Sequence, residues 1–185
     1  MRQNATIGAY RCAIDHPPGG AMERLLPLAR RASDLLRARR ESIAVAESST
    51  AGLVSAALVA IPGASAYYLG GGVIYTAAAQ RGLLAIPREA LRDLRASTEP
   101  YARLGARTIR DRLSSTWGIA ETGASGPTGN PYGDAAGHSC IAIAGPLERS
   151  LTLETGRSDR VENMYAFSEA ALMLLIEGLE TAPRA

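Results

Sequence analysis

The stretch Ile43-Ala44-Val45-Ala46-Glu47-Ser48-Ser49-Thr50-Ala51-Gly52 joins two different patterns. Ile43 to Glu47 reads as a short buried strand. Beyond Gly52, Leu53, Val54, Ala57, Leu58 and Ile61 recur at helical spacing, and Pro62-Gly63 ends that helix. Between the two lie the hydroxyls of Ser48, Ser49 and Thr50. A helix start carries unpaired backbone N–H groups and a partial positive charge. Two readings fit hydroxyls at that point. They cap the helix, or one of them attacks a substrate whose anion the same N–H groups hold.

Outward from this stretch the chain alternates. Residues 22 to 40 carry Leu25, Leu26, Leu28, Ala29, Ala32, Leu35 and Leu36 at the spacing of an amphipathic helix. Arg37 to Arg40 is expected as its solvated, dipole-compensating end. A second strand is expected over residues 70–76, a short helix over 77–84, and one or two further turns after Pro87. Ser97-Thr98-Glu99-Pro100 signals a helix start with a hydroxyl cap, running to about Ser115. Residues 117–122 read as a third strand opening into a glycine-rich loop, Gly123 to Asp134. Such a loop is either a flexible connection or a functional one, and its glycines suit an anion-binding nest. Two strands near 139–144 and 150–155 are close enough to pair as a hairpin. A last helix starts at Asp159, with Glu162 at capping-box spacing. The expected fold is a single α/β domain, residues 22–185. It has three layers, α/β/α, around a mixed, mainly parallel sheet. Residues 1–21, with His16-Pro17-Pro18-Gly19-Gly20, read as a poorly ordered extension.

Composition bounds the function. Of 185 residues, 46% are hydrophobic and the formal net charge is +2, so no nucleic-acid partner is expected. No apolar run is long enough to span a membrane. Cys12 and Cys140 have no partners at metal spacing and read as free thiols in a reducing cytoplasm. The 20 basic residues are all arginine, so no mechanism that needs a lysine amine is available.

Three polar clusters, Glu47 to Thr50, Tyr75-Thr76 and Thr122 to Thr128, each follow the end of an expected strand, the edge where open α/β sheets bind ligands. Each is also what an ordinary strand-to-helix turn looks like. The phosphate-loop lysine, the nucleophile elbow and the dinucleotide glycine fingerprint are all absent. His138 is the one imidazole within residues 22–185 and either fills a structural role at a strand start or serves as a base.

Ala46-Glu47-Ser48-Ser49-Thr50-Ala51-Gly52 resembles the A-E-S-C-T-G-G motif of the CinA C-terminal domain family. This family includes the nicotinamide-nucleotide amidohydrolases, or nicotinamide mononucleotide deamidases. Gly71 to Thr76 resembles the family strand ending in Y-S or Y-T. Thr122 to Pro127 resembles its T-G-I-A-G-P loop, and Asp159-Arg160 its G-D-R element. The resemblance covers about residues 25 to 180. It implies a homodimeric three-layer fold, hydrolysis of the nicotinamide carboxamide with release of ammonia, and no metal or other cofactor. It places the nucleophile on Ser48 and substrate-orienting groups on Tyr75 and Thr122. Arg160 falls on a family arginine. With the glycine loop (Gly123, Ser125, Gly126) it is expected to take the phosphate of the nucleotide, and N–H groups near Ser49 and Thr50 the oxyanion. Glu47, Ser49, Thr50 and Gln80 complete the expected substrate contacts.

One departure bears on activity. The family places a lysine five residues after the tyrosine as the base for the serine, and here that position is Gln80. A glutamine cannot accept the serine proton, and the guanidinium of Arg81 stays charged. His138 is the expected substitute, provided it reaches Ser48. The alternative is a nucleotide-binding or regulatory protein that kept the pocket and lost the base.

Overall fold

The computed structural model describes residues 21–183. Apart from Ala21, the expected extension, with His16 and Cys12, lies outside the described residues. Five strands form one sheet in the order β2-β1-β3-β4-β5. They are β1 (Ile43–Glu47), β2 (Tyr68–Val73), β3 (Trp117–Ala124), β4 (His138–Ala144) and β5 (Arg149–Glu154). β1 runs parallel to β2 and β3, and β4 runs antiparallel to both its neighbours, β3 and β5. The mixed sheet and the late hairpin agree with the sequence reading.

The strands alternate large and small side chains, and each size faces its own layer. Ile43, Val45, Trp117, Ile119, Ile141 and Ile143 face α1 (Leu26–Arg39), α2 (Leu53–Val59) and α5 (Arg160–Thr181). Three helices need that bulk to fill the space above the sheet. Ala44, Ala46, Ala120, Ala142 and Ala144 face the other way, toward α4 (Glu99–Leu113). A Cβ on Gly118 would come within 2.0 Å of the Ala106 carbonyl oxygen, so α4 lies almost on the strand backbone. Where α4 leaves the sheet, these small side chains leave room for a cavity.

Local details depart from expectation. Arg39 is not solvated. It donates to Glu41 (2.7 Å) and to the carbonyls of Leu179 (3.0 Å), Ala182 (3.2 Å) and Pro183 (2.7 Å), holding the end of α5. The aliphatic spacing is blind to such a contact because its partners lie about 140 residues away. α4 has Thr98 at its N-cap without a side-chain cap bond, because the Thr98 hydroxyl donates backward to the Arg95 carbonyl (2.7 Å). β2 ends at Val73, before Tyr75. Thr76 instead caps α3 (Ala77–Ala79), its hydroxyl accepting from Ala79 N–H at 3.1 Å. A π-turn over Gln80–Leu84 follows directly. Among the described residues no helix is long and apolar enough to cross a membrane.

Candidate active site

The β1–α2 turn is built around two carboxylates. Glu47, at the end of β1, accepts from the backbone N–H of Gly52 (2.9 Å), Val54 (3.0 Å) and Ser55 (2.8 Å), and from the Ser55 hydroxyl (2.6 Å). It therefore satisfies the start of α2, whose N-cap residue is Gly52 in the left-handed region, φ 97°. Glu121, on β3, accepts from Ser48 N–H (3.1 Å), Thr50 N–H (3.0 Å), the Thr50 hydroxyl (3.1 Å), the Ser139 hydroxyl (3.0 Å) and the Ser49 hydroxyl. Both acids are buried. Burial pushes the Glu121 carboxyl above its usual range, and its donors oppose that only in part.

This arrangement corrects two expectations. The hydroxyls of Ser48, Ser49 and Thr50 do not cap α2; Glu47 does. Of the N–H groups near Ser49 and Thr50 expected to hold an oxyanion, that of Thr50 already holds Glu121, together with that of Ser48, while that of Ser49 has no acceptor among the described residues. Glu47, Ser49 and Thr50, expected as substrate contacts, are thus engaged within the fold.

Ser48 itself is only partly buried, and it opens on a cavity of about 280 Å³ on the α4 side of the sheet. Tyr75, Gln80 and Thr122 line the same cavity, as do Glu121, Tyr101 and Tyr132. Its apolar walls come from Ile74, Leu84, Leu91 and Leu94. Four of the residues singled out from sequence are thus brought together, Ser48, Tyr75 and Thr122 from three strand ends and Gln80 from the π-turn. The sequence reading missed Glu121, although a lone acid between Ala120 and Thr122 in an otherwise apolar strand is itself a signal. Gln80 is buried, and its Nε2 has no hydrogen-bond partner. Among the described residues only the Ser125 hydroxyl shares that condition. Thr122 Oγ1 accepts from Ser97 N–H at 3.2 Å.

His138 does not serve Ser48. Its Nδ1 bonds the Glu154 carboxylate and its Nε2 lies 3.0 Å from the Ser97 carbonyl oxygen. Both partners are acceptors, so both ring nitrogens act as donors and none is left to take a proton. Burial lowers the affinity of the ring for a proton most, but the Glu154 bond, the Ser97 carbonyl and the charges of Glu154 and Asp134 together raise its pKa above the ordinary value. His138 fastens β5 and the Ser97 turn; its assignment as base is withdrawn.

The glycine loop is stitched down. Asp134 pairs with Arg95, which holds its carboxyl at about 2. Asn130 Oδ1 accepts from the N–H groups of Tyr132 (3.0 Å) and Asp134 (3.1 Å). Asn163, wholly buried, donates to the carbonyls of Ser125 (2.8 Å) and Arg157 (2.9 Å) and accepts from Thr155 (2.6 Å). Gly123 is part of β3. Asp159 caps α5 as read from sequence, accepting from Glu162 N–H at 3.0 Å. Arg160 follows it and donates to the Gly126 carbonyl and to the Tyr75 hydroxyl (2.8 Å). It therefore ties the loop to the cavity rim, and no carboxylate among the described residues pairs with it at ion-pair distance.

Residues 25–179 match the family model of the CinA C-terminal domain. The chain belongs to the CinA C-terminal domain family. A CinA-like protein of Prochlorococcus marinus (strain MIT 9313) is 43% identical over 113 residues, 61% of this chain and 26% of the relative. One from Salinibacter ruber is 37% identical over 139 residues, 75% of this chain and 34% of the relative. The chain spans about a third or less of the length of these CinA-like relatives. A CinA superfamily crystal structure from Klebsiella pneumoniae superposes with a TM-score of 0.79 at 26% identity, covering 84% of this chain and 98% of that one. A competence/damage-inducible protein from Agrobacterium tumefaciens gives 0.75 at 29% identity, over 91% and 100%. The CinA fold thus accounts for the α/β architecture, and three of the four cavity residues, Ser48, Tyr75 and Thr122, lie on or just beyond its strand ends.

Proposed function

We propose that this CinA-family chain hydrolyses the carboxamide of nicotinamide mononucleotide or a related pyridine nucleotide. Ser48 attacks the amide carbon, ammonia leaves carrying the serine proton, and water releases the acid. The observation that carries the reading is the meeting of Ser48, Tyr75, Gln80 and Thr122 in one cavity. At about 280 Å³ the cavity suits a ring bearing a carboxamide rather than a whole nucleotide. The ribose phosphate then lies at the rim, beside Arg160 and the glycine loop, where an arginine without a carboxylate partner favours an anion. The reading includes a homodimer, as the resemblance implies, in the cytoplasm read from the free thiols; sedimentation at twice the chain mass tests the assembly. Mass spectrometry of protein incubated with nicotinamide mononucleotide and quenched in acid tests the chemistry, through a nicotinoyl nucleotide adduct on Ser48.

A second reading is favoured by one specific observation. The His138 nitrogens are engaged elsewhere, Gln80 cannot accept a proton, and Glu121 accepts the N–H of Ser48. A pocket whose lining carboxylate, Glu121, is taken up by the turn suits a nucleotide-binding or regulatory protein, which binds the same ligand and leaves no adduct.

A further inference from the structure

The turn that leads into α2 has most of its N–H groups turned inward. Of the eight backbone N–H groups from Ser48 to Ser55, seven are engaged, that of Ser49 excepted. Those of Ser48 and Thr50 go to Glu121, and those of Gly52, Val54 and Ser55 to Glu47. Ala51 and Leu53 close turns on the carbonyls of Ser48 and Thr50. Two carboxylates at this turn also repel a further anion. A ligand carbonyl beside Ser48 finds only the Ser49 N–H at this turn, and a second donor must come from elsewhere in the cavity.

One buried side-chain donor there is without a partner. Gln80 is 6% exposed and lines the cavity with Ser48, and its Nε2 has no partner in the protein. Leu84 and Ala77 lie beside it in the cavity wall and offer no side-chain acceptor. A buried unpaired donor destabilises a fold, and it is retained where a ligand completes it. We propose that Gln80 reads the carbonyl oxygen of the ligand carboxamide, donating Nε2–H to it inside the cavity that Ser48 shares. This rests on the carboxamide reading above and adds to it the group that recognises the amide. A side chain that donates from Nε2 selects a carbonyl-bearing ring over one carrying an amine or nothing at the same position. The residue that leaves the chain without a lysine base thus has its own recognition role.

The test compares two probes: nicotinamide mononucleotide, and the pyridinium mononucleotide that lacks the carboxamide. Binding is read by calorimetry for the parent and for Gln80→Met, which keeps the side-chain length and removes the donor. The parent is expected to prefer the carboxamide by about tenfold, the effect of one buried hydrogen bond. Gln80→Met is expected to lose that preference, while the carbonyl-free probe binds as before. Its unligated melting temperature is expected to equal or exceed that of the parent, since an unpaired donor is gone. Equal binding of both probes by the parent overturns the role of Gln80 and leaves the hydrolase reading standing. A parent that binds neither probe overturns both. A Gln80→Met protein that weakens both probes equally, or melts lower than the parent, marks Gln80 as a packing residue and also overturns the proposal.

Discussion

The Glu121 carboxylate accepts the backbone N–H of Ser48 at 3.1 Å across the seam between β1 and β3. The strand register explains the meeting. Ala46 pairs with Ala120, so the residues just beyond, Glu47-Ser48 and Glu121-Thr122, emerge side by side at the strand ends. Glu121 fixes the path of the turn and therefore the direction in which Ser48 leaves it.

From this follows a contrast between two substitutions. Glu121→Leu leaves the N–H groups of Ser48 and Thr50 buried without acceptors, a loss of about 1–3 kcal/mol for each. Glu121→Gln keeps an oxygen for those N–H groups. Its amide NH₂ faces the Ser49 and Ser139 hydroxyls, which can rotate to accept. Because burial raises the carboxyl pKa, the folded protein holds the Glu121 proton more tightly than the unfolded chain. The sign then runs against the ionised form, and stability falls as pH rises from the ordinary carboxyl range through the raised value. Urea unfolding is expected to show Glu121→Gln equal to or above the parent at neutral pH, and Glu121→Leu well below it.

His138 has the opposite assignment from a catalytic base. Its raised pKa means that the protonated ring stabilises the fold. That contribution is complete below the ordinary imidazole value of about 6.5 and is lost as pH rises through the folded value. His138→Gln is therefore expected to lower the melting temperature most at pH 6 and progressively less toward alkaline pH. Any ammonia release should survive the substitution; its disappearance in a folded His138→Gln protein would restore the imidazole to the chemistry.

Arg160 is expected to act on the phosphate. Arg160→Ala should weaken nicotinamide mononucleotide binding by about tenfold or more, in line with about 1.5–3 kcal/mol for a charge-assisted bond. Nicotinamide riboside, which lacks the phosphate, should bind the variant and the parent alike. If the riboside loses as much as the nucleotide, Arg160 acts instead by holding Tyr75 and the Gly126 loop.

The fold was legible where side-chain size alternates along the strands, as in Ile43 to Ala46 and Ile141 to Ala144. That pattern fixes both the strand and the layer that each of its two buried faces meets. Ser48, Tyr75, Gln80 and Thr122 were legible as cavity residues because they lie on or just after strand ends, where ligands collect, or at the family lysine position. The parts that escaped depend on register and on distant partners. Nothing near Glu121 in sequence shows that β1 will deliver Ser48 to it. His138 looked available because its partner, Glu154, is set by the β4–β5 pairing. Arg39 looked solvated because the carbonyls it holds end a helix far along the chain. Asn163 is an anchor for the glycine loop, and only its three-dimensional neighbours reveal that.

Ammonia release from nicotinamide mononucleotide tests the central claim most directly. Purified parent and Ser48→Ala proteins are compared at neutral pH, with both shown to be folded and to bind the nucleotide. The account predicts steady release by the parent, with nicotinate mononucleotide formed in equal amount, and none above background from Ser48→Ala. Release that is the same in both proteins, or absent from a parent that binds the nucleotide, would contradict it.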